Sequence, residues 1–191
     1  MCRIDPGDEA AFDAWYAVVQ STDEERWGDR DGGLSRREIH AATSGRDGIT
    51  EYHCLAAVGP TGRIVGIGLC ELPQRDNRHA ATLDIRVAPP YRRHGVGAHI
   101  LAEAERLLVA AGRSVINATV EVPVGRAASD ASTSFARRHG FAATQTGHRR
   151  HLALPLAPGL LARLRAEADG SAAGYRLHTF TAPWPSEFLE D

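Results

Sequence analysis

The residues with the clearest chemical potential lie in one stretch, Val87–Ala98, with the sequence Val-Ala-Pro-Pro-Tyr-Arg-Arg-His-Gly-Val-Gly-Ala. A strand pattern ends at its prolines, and a helical pattern begins at Gly95. The first turn of a helix has unpaired N–H groups at the positive end of its dipole, which favours anions. Gly95 and Gly97 lack side chains, so a diphosphate can approach the backbone closely. The stretch therefore predicts a phosphate or pyrophosphate site, to which Arg92 and Arg93 add cationic donors.

Two other kinds of phosphate loop are excluded by the sequence. The dinucleotide fingerprint GxGxxG is absent, and so is the Walker pattern GxxxxGK[ST]. All 22 basic residues are arginine, so a Walker lysine and Schiff-base chemistry on a lysine are both impossible.

Composition narrows the class of protein further. The chain has 191 residues, of which 43% are hydrophobic and 24% charged, and its net charge is −2. These values predict one folded domain with a small appendage, and they argue against a nucleic-acid binder, which carries a basic excess. No apolar run is long enough for a membrane span, and the first ten residues do not resemble a secretory signal. Three cysteines without CxxC spacing favour a reducing cytoplasm and no structural zinc.

The elements that must position the loop follow from periodicity and from turn residues. Helices are predicted at Asp8–Val19, from an N-cap at Ser35 to Ala42, at Gly95–Ala111, and from Ser129-Asp130 to His139. Strands are predicted at Tyr52–Val58 and Arg63–Leu72, joined in a hairpin by Gly59–Gly62, and at Ala81–Val87, Ser114–Val122 and, as a closing pair, Phe141–Leu154. This order indicates an α/β (α+β) fold, in which helices cross over a mixed sheet.

The segment after Pro155 has a different character. It predicts an amphipathic helix at Ala157–Ala168, a polar linker, a strand at Tyr175–Thr181 and the start of a helix at Pro185–Leu189. We therefore divide the chain into a domain of residues 1–155 and a segment of residues 156–191. The strand Tyr175–Thr181 is expected to join its own sheet, to pair with a second copy in a homodimer, or to be disordered.

The spacing Arg92-x-x-Gly95-x-Gly97 closely resembles the (Q/R)xxGx(G/A) coenzyme A pyrophosphate loop of the GNAT superfamily of N-acetyltransferases. Its context is also similar, because a Val-x-Pro strand end precedes it and a short helix ending in His139-Gly140-Phe141 follows. The resemblance covers roughly residues 5–155 and implies a GNAT fold, with a mostly antiparallel sheet of six to seven strands and flanking helices. Further pieces resemble the amino-terminal half of actinobacterial tandem GNAT proteins: Leu72–Asn77, Val87–Pro89, Arg138–Phe141 and Gly174–Leu177.

The resemblance implies a coenzyme site that transfers residue by residue. Backbone groups of Ile85 and Val87 would pair with the pantetheine arm as an additional strand does. The pyrophosphate would be surrounded, mostly by N–H groups, by Arg92, Arg93, His94, Gly95, Val96, Gly97 and Ala98. The alternative is a glycine-rich helix start with solvated arginines.

The catalytic residues depart from the family's pattern. Ala136 occupies the position of the tyrosine that many members use as the thiolate acid, and Ala81 matches a glutamate that some relatives use as a base. Two acidic candidates remain, Glu121 and Asp84. For each, the alternative is a solvent-facing carboxylate paired with an arginine.

Other reactive residue types have simpler interpretations. No HxxxH or HExxH spacing occurs among the nine histidines, so no metal site is expected. His148 and His151 flank two arginines, a cluster that favours a solvated edge over a contact to the coenzyme's 3′-phosphate or to an acidic partner. Cys54 and Cys70 lie in the predicted hairpin and are expected to be buried.

The sequence thus predicts an enzyme that transfers an acetyl group from acetyl-CoA directly to a primary amine. The amine can belong to a small molecule or a peptide, and neither nucleic acid nor membrane is expected as a partner. One alternative is a catalytically silent acyl-CoA-binding GNAT domain that supports a partner domain or subunit. Another is a nucleotide-binding α/β domain of a different class.

Overall fold

Five strands of the computed structural model lie in one sheet, in the same order as in the chain. They are β1 (Cys2–Ile4), β2 (Thr50–Val58), β3 (Ile64–Pro73), β4 (Ala80–Val87) and β5 (Val115–Asn117). The first four pair antiparallel, and β4 pairs parallel with β5. A mixed, mostly antiparallel sheet is therefore confirmed, with five strands where six to seven were expected. The structure describes residues 1–28, 35–45, 48–125, 130–150, 152–183 and 185–188.

Within these residues the α-helices begin and end close to the predicted places, except that α1 extends further. They are α1 (Glu9–Trp27), α2 (Arg36–Ser44), α3 (Val96–Ala110), α4 (Ala131–Arg138) and α5 (Leu160–Ser171). Ser35 forms a full capping box with Glu38, and Asp130 accepts hydrogen bonds from two N–H groups of the first turn of α4. These caps were predicted, although Ser129, the other predicted cap residue of α4, lies outside the described residues.

Helix α1 is longer than its sequence pattern suggested. The prediction ended at Val19 and placed Trp27 in a loop, whereas Trp27 is the last residue of α1. In the added turns, buried Thr22 keeps its hydroxyl satisfied inside the helix by donating to the carbonyls of Val18 and Val19, at 3.0 and 2.8 Å. The helix ends at Gly28, whose positive φ stops it.

Alternation along the strands gives the sheet two apolar faces. The α1 face contains Cys54, Ala56 and Ile67, which pack with Phe12, Trp15, Val18 and Val19 of α1 and with Ile39 of α2. The α3 face contains Leu55, Cys70, Leu72, Ala81 and Leu83, which pack with Leu101, Ala104 and Leu108 of α3. The sheet is thus covered on both sides, and α3 is fixed directly across β3 and β4.

Two glycines of β3 allow α3 to approach the sheet closely. A Cβ atom on Gly68 would lie 2.8 Å from Cγ2 of Ile100, and one on Gly66 would lie 2.8 Å from Cγ1 of Val96. Any side chain at either position would push α3 outward. These contacts set the height of α3, and therefore of its N-terminus, above β4.

Two of the strand predictions before residue 155 are wrong in whole or in part. Of the predicted strand Ser114–Val122 only β5 is formed, because the chain pairs with β4 only from Val115 to Asn117. The closing pair Phe141–Leu154 is not formed in the described residues, since residues 142–150 are all exposed and provide no apolar face to bury.

The described residues form two compact units, Met1–Phe141 and Ala142–Asp191. In the second unit the predicted helix Ala157–Ala168 is confirmed as α5, which begins and ends three residues later and has no buried residue. The predicted strand Tyr175–Thr181 is wrong, because its apolar side chains remain exposed, Leu177 completely. The predicted helix start at Pro185–Leu189 is a short 3-10 turn at Ser186–Phe188, and Leu189 lies outside the described residues. The predicted boundary at residue 155 stays a prediction.

The expectation that Cys54 and Cys70 are buried is confirmed, with exposed fractions of 2% and 0%. Burial raises the pKa of the Cys54 thiol to about 12 and that of Cys70 to about 11. We expect a thiol reagent at pH 8 to modify one cysteine of the folded protein rapidly, exposed Cys2, and all three after denaturation. Absorbance at the released chromophore counts the modified thiols. Cys2→Ser is the control and should abolish the rapid phase; a rapid phase that persists in this variant would contradict the assignment.

Candidate functional site

Strand β4 has an edge without a partner strand exactly where the predicted coenzyme contacts lie. On one side β4 pairs with β3 as far as Val87, whereas on the other side its pairing with β5 ends at Thr82. From Leu83 to Val87, β4 therefore has no strand partner on the side away from β3, within the described residues. We call these five positions the open edge of β4.

The direction of the backbone groups along the open edge follows from one hydrogen bond. The N–H of Ala88, directly after β4, donates to the carbonyl of Val65 in β3 at 3.0 Å. Because backbone groups alternate in direction along a strand, those of Ile85 and Val87 point away from β3, to the open edge. This is the orientation that the predicted pantetheine contacts of Ile85 and Val87 require; the contacts themselves stay a prediction.

The open edge leads into the N-terminus of α3 through a short connection. Pro89–Tyr91 form a 3-10 turn, and Gly95 caps the helix with a left-handed φ of 81° and no side-chain hydrogen bond. The first N–H bonded inside the helix is that of His99, which donates to Gly95. The N–H groups of Val96, Gly97 and Ala98 have no hydrogen-bond acceptor among the described residues. These three donors, at the positive end of the dipole, are arranged to receive an anion.

The two arginines of the loop differ in their surroundings. Arg92 forms a bidentate pair with Glu25 of α1, at 2.9 and 2.6 Å, and its Nε donates to the carbonyl of Val87 at 3.0 Å. Arg92 therefore holds the loop against α1 and β4. Arg93 is exposed, adopts a positive φ of 66°, and has no ion pair with another described residue. His94, also exposed, places Nδ1 2.7 Å from the carbonyl of Arg92, which tightens the same turn.

The two predicted acidic residues are connected to α1 by different arginines. Asp84 lies 2.8 Å from Nε of Arg86, whose guanidinium also contacts Asp23 of α1. Glu121 is half-buried, and its backbone carbonyl accepts a hydrogen bond from Arg26, which also reaches Ser132 at 2.7 Å. The carboxylate of Asp84 is thus paired with an arginine, which is the non-catalytic interpretation given for this residue in the sequence analysis. Catalytic roles for Asp84 and Glu121 stay predictions.

The comparisons with known proteins decide the family. The model of the acetyltransferase (GNAT) family matches residues 12–141. The chain belongs to the GNAT family. A nucleotide-binding domain of another class is thereby dropped as an alternative. A search of curated proteins finds no significant match.

Solved GNAT structures share the fold. A tandem GNAT protein from the clavulanic acid biosynthesis pathway aligns with a TM-score of 0.61 and 23% identity, covering 72% of this chain and 42% of that one. The chain thus spans less than half the length of that protein. An aminoglycoside acetyltransferase from an uncultured soil metagenomic sample, in complex with sisomicin, aligns at 0.59 with 15% identity, covering 80% and 94%. The aminoglycoside N-acetyltransferase AAC(6')-Iy in complex with CoA aligns at 0.54 with 13% identity, covering 80% and 98%.

The departures of this GNAT domain from the family's catalytic pattern have structural counterparts. Ala81 is buried on the α3 face, so even a longer side chain there would point into the core. Ala136 lies in α4 next to Phe135, whose ring would be 3.3 Å from a Cβ atom on Gly97. A side chain at position 97 would therefore press against the Phe135 ring of α4, in addition to covering the start of α3.

One candidate residue was missed in the sequence, Glu71 of β3. It is half-buried, and burial together with the nearby charge of Asp84 raises the pKa of its carboxyl group. It has no ion pair with another described residue. A glutamate inside the otherwise apolar run of β3 was the available signal, but strand periodicity alone gave no reason to select it.

A cavity of about 460 Å³ lies over the paired part of β4 and β5, next to the open edge but lined by none of its five residues. Its lining includes Thr82 and Asn117, the last residues that pair β4 with β5, together with His79, Asn77 and Pro73. Glu71 lies four residues after Ile67 in β3 and so projects from the same α1 face; Thr82 pairs with Glu71 and Asn117 pairs with Thr82, so both also lie on the α1 face. The described residues contain no group of three or more His, Cys, Asp or Glu side chains that could hold a metal ion. None of the described helices is long and apolar enough to span a membrane.

Proposed function

We propose that this GNAT domain transfers the acetyl group of acetyl-CoA to a primary amine. The observation that carries the proposal is the continuity of the open edge of β4 with the free N–H groups of Val96, Gly97 and Ala98. A strand edge suits the two amides of pantetheine, and a helix N-terminus suits a pyrophosphate. The family and the CoA complex of a structural neighbour support the same coenzyme.

The residues present fit this co-substrate. At the open edge Ile85 offers its backbone N–H and carbonyl and Val87 offers its N–H, while the carbonyl of Val87 already accepts a hydrogen bond from Arg92. The first turn of α3 offers three N–H donors beside exposed Arg93. Acetyl-CoA supplies the acetyl group as an activated thioester. In this proposal the chain binds the thioester and orients it toward the amine. Arg92 acts by holding the loop, because Glu25 and Val87 already occupy its guanidinium.

The acceptor that we propose is a small-molecule amine, with a peptide amine as the second choice. The cavity at the end of the open edge has the size of a small-molecule site. Structural neighbours with this fold are named as aminoglycoside acetyltransferases.

A silent acyl-CoA-binding domain is the second candidate function. It is favoured by Ala136 and Ala81, which replace two groups of the family's chemistry, and by the match to less than half of a tandem GNAT protein. Such a domain would bind the coenzyme and acetylate nothing.

Two measurements on the full chain separate these functions. Calorimetry with coenzyme A, acetyl-CoA and ATP should show binding of the first two only. Release of free thiol from acetyl-CoA is then followed with a panel of aminoglycosides, polyamines, amino acids and peptides, and mass spectrometry identifies the acetylated amine. Amine-dependent thiol release supports the enzyme; tight coenzyme binding without turnover for any amine supports the silent domain. Failure to bind coenzyme A would overturn both.

A further inference from the structure

We propose that Glu71 is the general base that removes the proton from the acceptor amine. This inference rests on the proposed function and assigns its proton transfer to a residue of β3. Neither Asp84 nor Glu121, the two acidic candidates of the sequence analysis, has this role in the proposal.

The first argument is the position of Glu71 in the sheet. The register pairs Tyr52 of β2 with Glu71, Glu71 with Thr82 of β4, and Thr82 with Asn117 of β5. Side chains paired in register project from the same face, so these four polar residues form one row across the α1 face. We call them the polar row. It lies at the last pair between β4 and β5, where the open edge begins.

The second argument is reach. Neighbouring strands lie about 4.8 Å apart, so Glu71 stands one strand spacing from the edge of β4. Thr82 separates Glu71 from Asn117, and both Thr82 and Asn117 line the cavity. Glu71 does not itself line the cavity, so in this proposal the proton passes from a group in the cavity to Glu71 through a water molecule beside Thr82.

The third argument is electrostatic. Asp84 is held by Arg86, whereas the half-buried carboxyl group of Glu71 has no ion pair with another described residue. Burial and the neighbouring charge of Asp84 raise the pKa of Glu71, which makes it a better proton acceptor. Other charged and titratable groups on this face or packed against it include Arg86 of β4, Tyr52 and buried Cys54 of β2, Asp23 and Tyr16 of α1, and His40 of α2. Asp23 contacts Arg86, and His40 contacts the carbonyl of Pro6 and the carboxylate of Glu9.

The proton balance of the step is simple. The amine nitrogen forms a bond to the acetyl carbon while the bond from that carbon to sulfur breaks. The proton released from nitrogen passes through water to Glu71, and the leaving sulfur takes a proton from solvent. Glu71 then returns its proton to solvent, so no further reactant is required.

The test compares Glu71→Gln with Glu51→Gln, a matched control. Glu51 is exposed, lies next to Tyr52 in β2 and, by alternation, projects from the α3 face. With an amine that the wild type acetylates, Glu71→Gln should lower kcat by about 100-fold or more, with coenzyme affinity unchanged. Glu51→Gln should keep wild-type kcat. Glu71→Asp, which retains a shorter carboxylate, should recover part of the activity.

The pH profile provides a readout that a structural role would not affect. The wild-type kcat should rise with pH through the raised pKa of Glu71, and this limb should disappear in Glu71→Gln. Asp84→Asn should move the limb to lower pH, because the charge that raises the pKa of Glu71 is removed.

Thermal unfolding verifies that Glu71→Gln is folded. A carboxyl group whose pKa is raised by folding destabilises the protein once pH exceeds that pKa, so the variant's Tm at pH 7 should equal or exceed that of the wild type. If kcat and the pH profile are unchanged in Glu71→Gln, Glu71 is not the base, but the proposed acetyltransferase function still stands. Absence of turnover by the wild type with every amine would overturn the proposed function, and the base with it.

Discussion

Replacing Ala98 with aspartate is expected to weaken coenzyme A binding by about 100-fold or more without loss of the fold. Ala98 is the third residue of α3, and its N–H is one of the three free donors. An acidic residue in the first turn interacts favourably with the helix dipole, by about 0.3–1 kcal/mol, so stability should hold or rise slightly. The same carboxylate would repel the pyrophosphate. At about 5 Å and an effective dielectric of 20, each pair of unit charges costs roughly 3 kcal/mol, which exceeds a factor of 100 in Kd.

The neutral isostere Ala98→Asn is the matched control for this experiment. It has nearly the same shape and should change Kd by only a few fold, since it introduces no charge. Calorimetry at low and high salt gives Kd for both variants, and the difference between them should decrease as salt screens the repulsion. Equal affinities for the two variants would show that the pyrophosphate does not bind at the N-terminus of α3.

Elements with local signals could be predicted from the sequence. The cap at Ser35, the turn Gly59–Gly62 and the cap at Asp130 depend on residues a few positions apart, and the structure confirms the elements that they delimit. Elements that depend on distant partners could not. Strand β1 has only three residues and exists because it pairs with Cys54–Ala56, about fifty positions away. The residues after Asn117 have a strand-like sequence, but they do not pair with β4.

The same distinction applies to the candidate site. The loop Arg92–Ala98 is contiguous, so its spacing could be recognised directly. The partner of Arg92 is Glu25, 67 positions away, and no local pattern indicates that pair. Glu71 could not be selected either, because its significance comes from the register that places it beside Thr82 and from the half-burial of its side chain. The coenzyme-binding residues could be proposed from the family resemblance, whereas Glu71 could be selected only from strand register and burial.

Replacing Gly68 with alanine is expected to destabilise the protein by about 1–3 kcal/mol, the usual cost of overpacking a core. The added Cβ atom would lie 2.8 Å from Cγ2 of Ile100 and at ordinary contact distance, 3.5 Å, from Leu55. One side chain therefore causes the strain. Ile100→Ala removes it and by itself costs about 2–5 kcal/mol, through the cavity that it leaves. The double variant should lose less unfolding free energy than the two single variants together, by about 1 kcal/mol or more.

Urea unfolding measures all four proteins of this cycle, and Gly170→Ala is its control. Gly170 lies in α5, where a Cβ atom would meet nothing within 4 Å, so this change should be neutral or slightly stabilising and additive with Ile100→Ala. Additivity of Gly68→Ala with Ile100→Ala would contradict close packing as the reason for the glycine. Since α3 carries the free N–H groups at its N-terminus, an outward shift should also weaken coenzyme A binding in Gly68→Ala. The double variant should recover that affinity, because removal of the Ile100 side chain lets α3 return to the sheet.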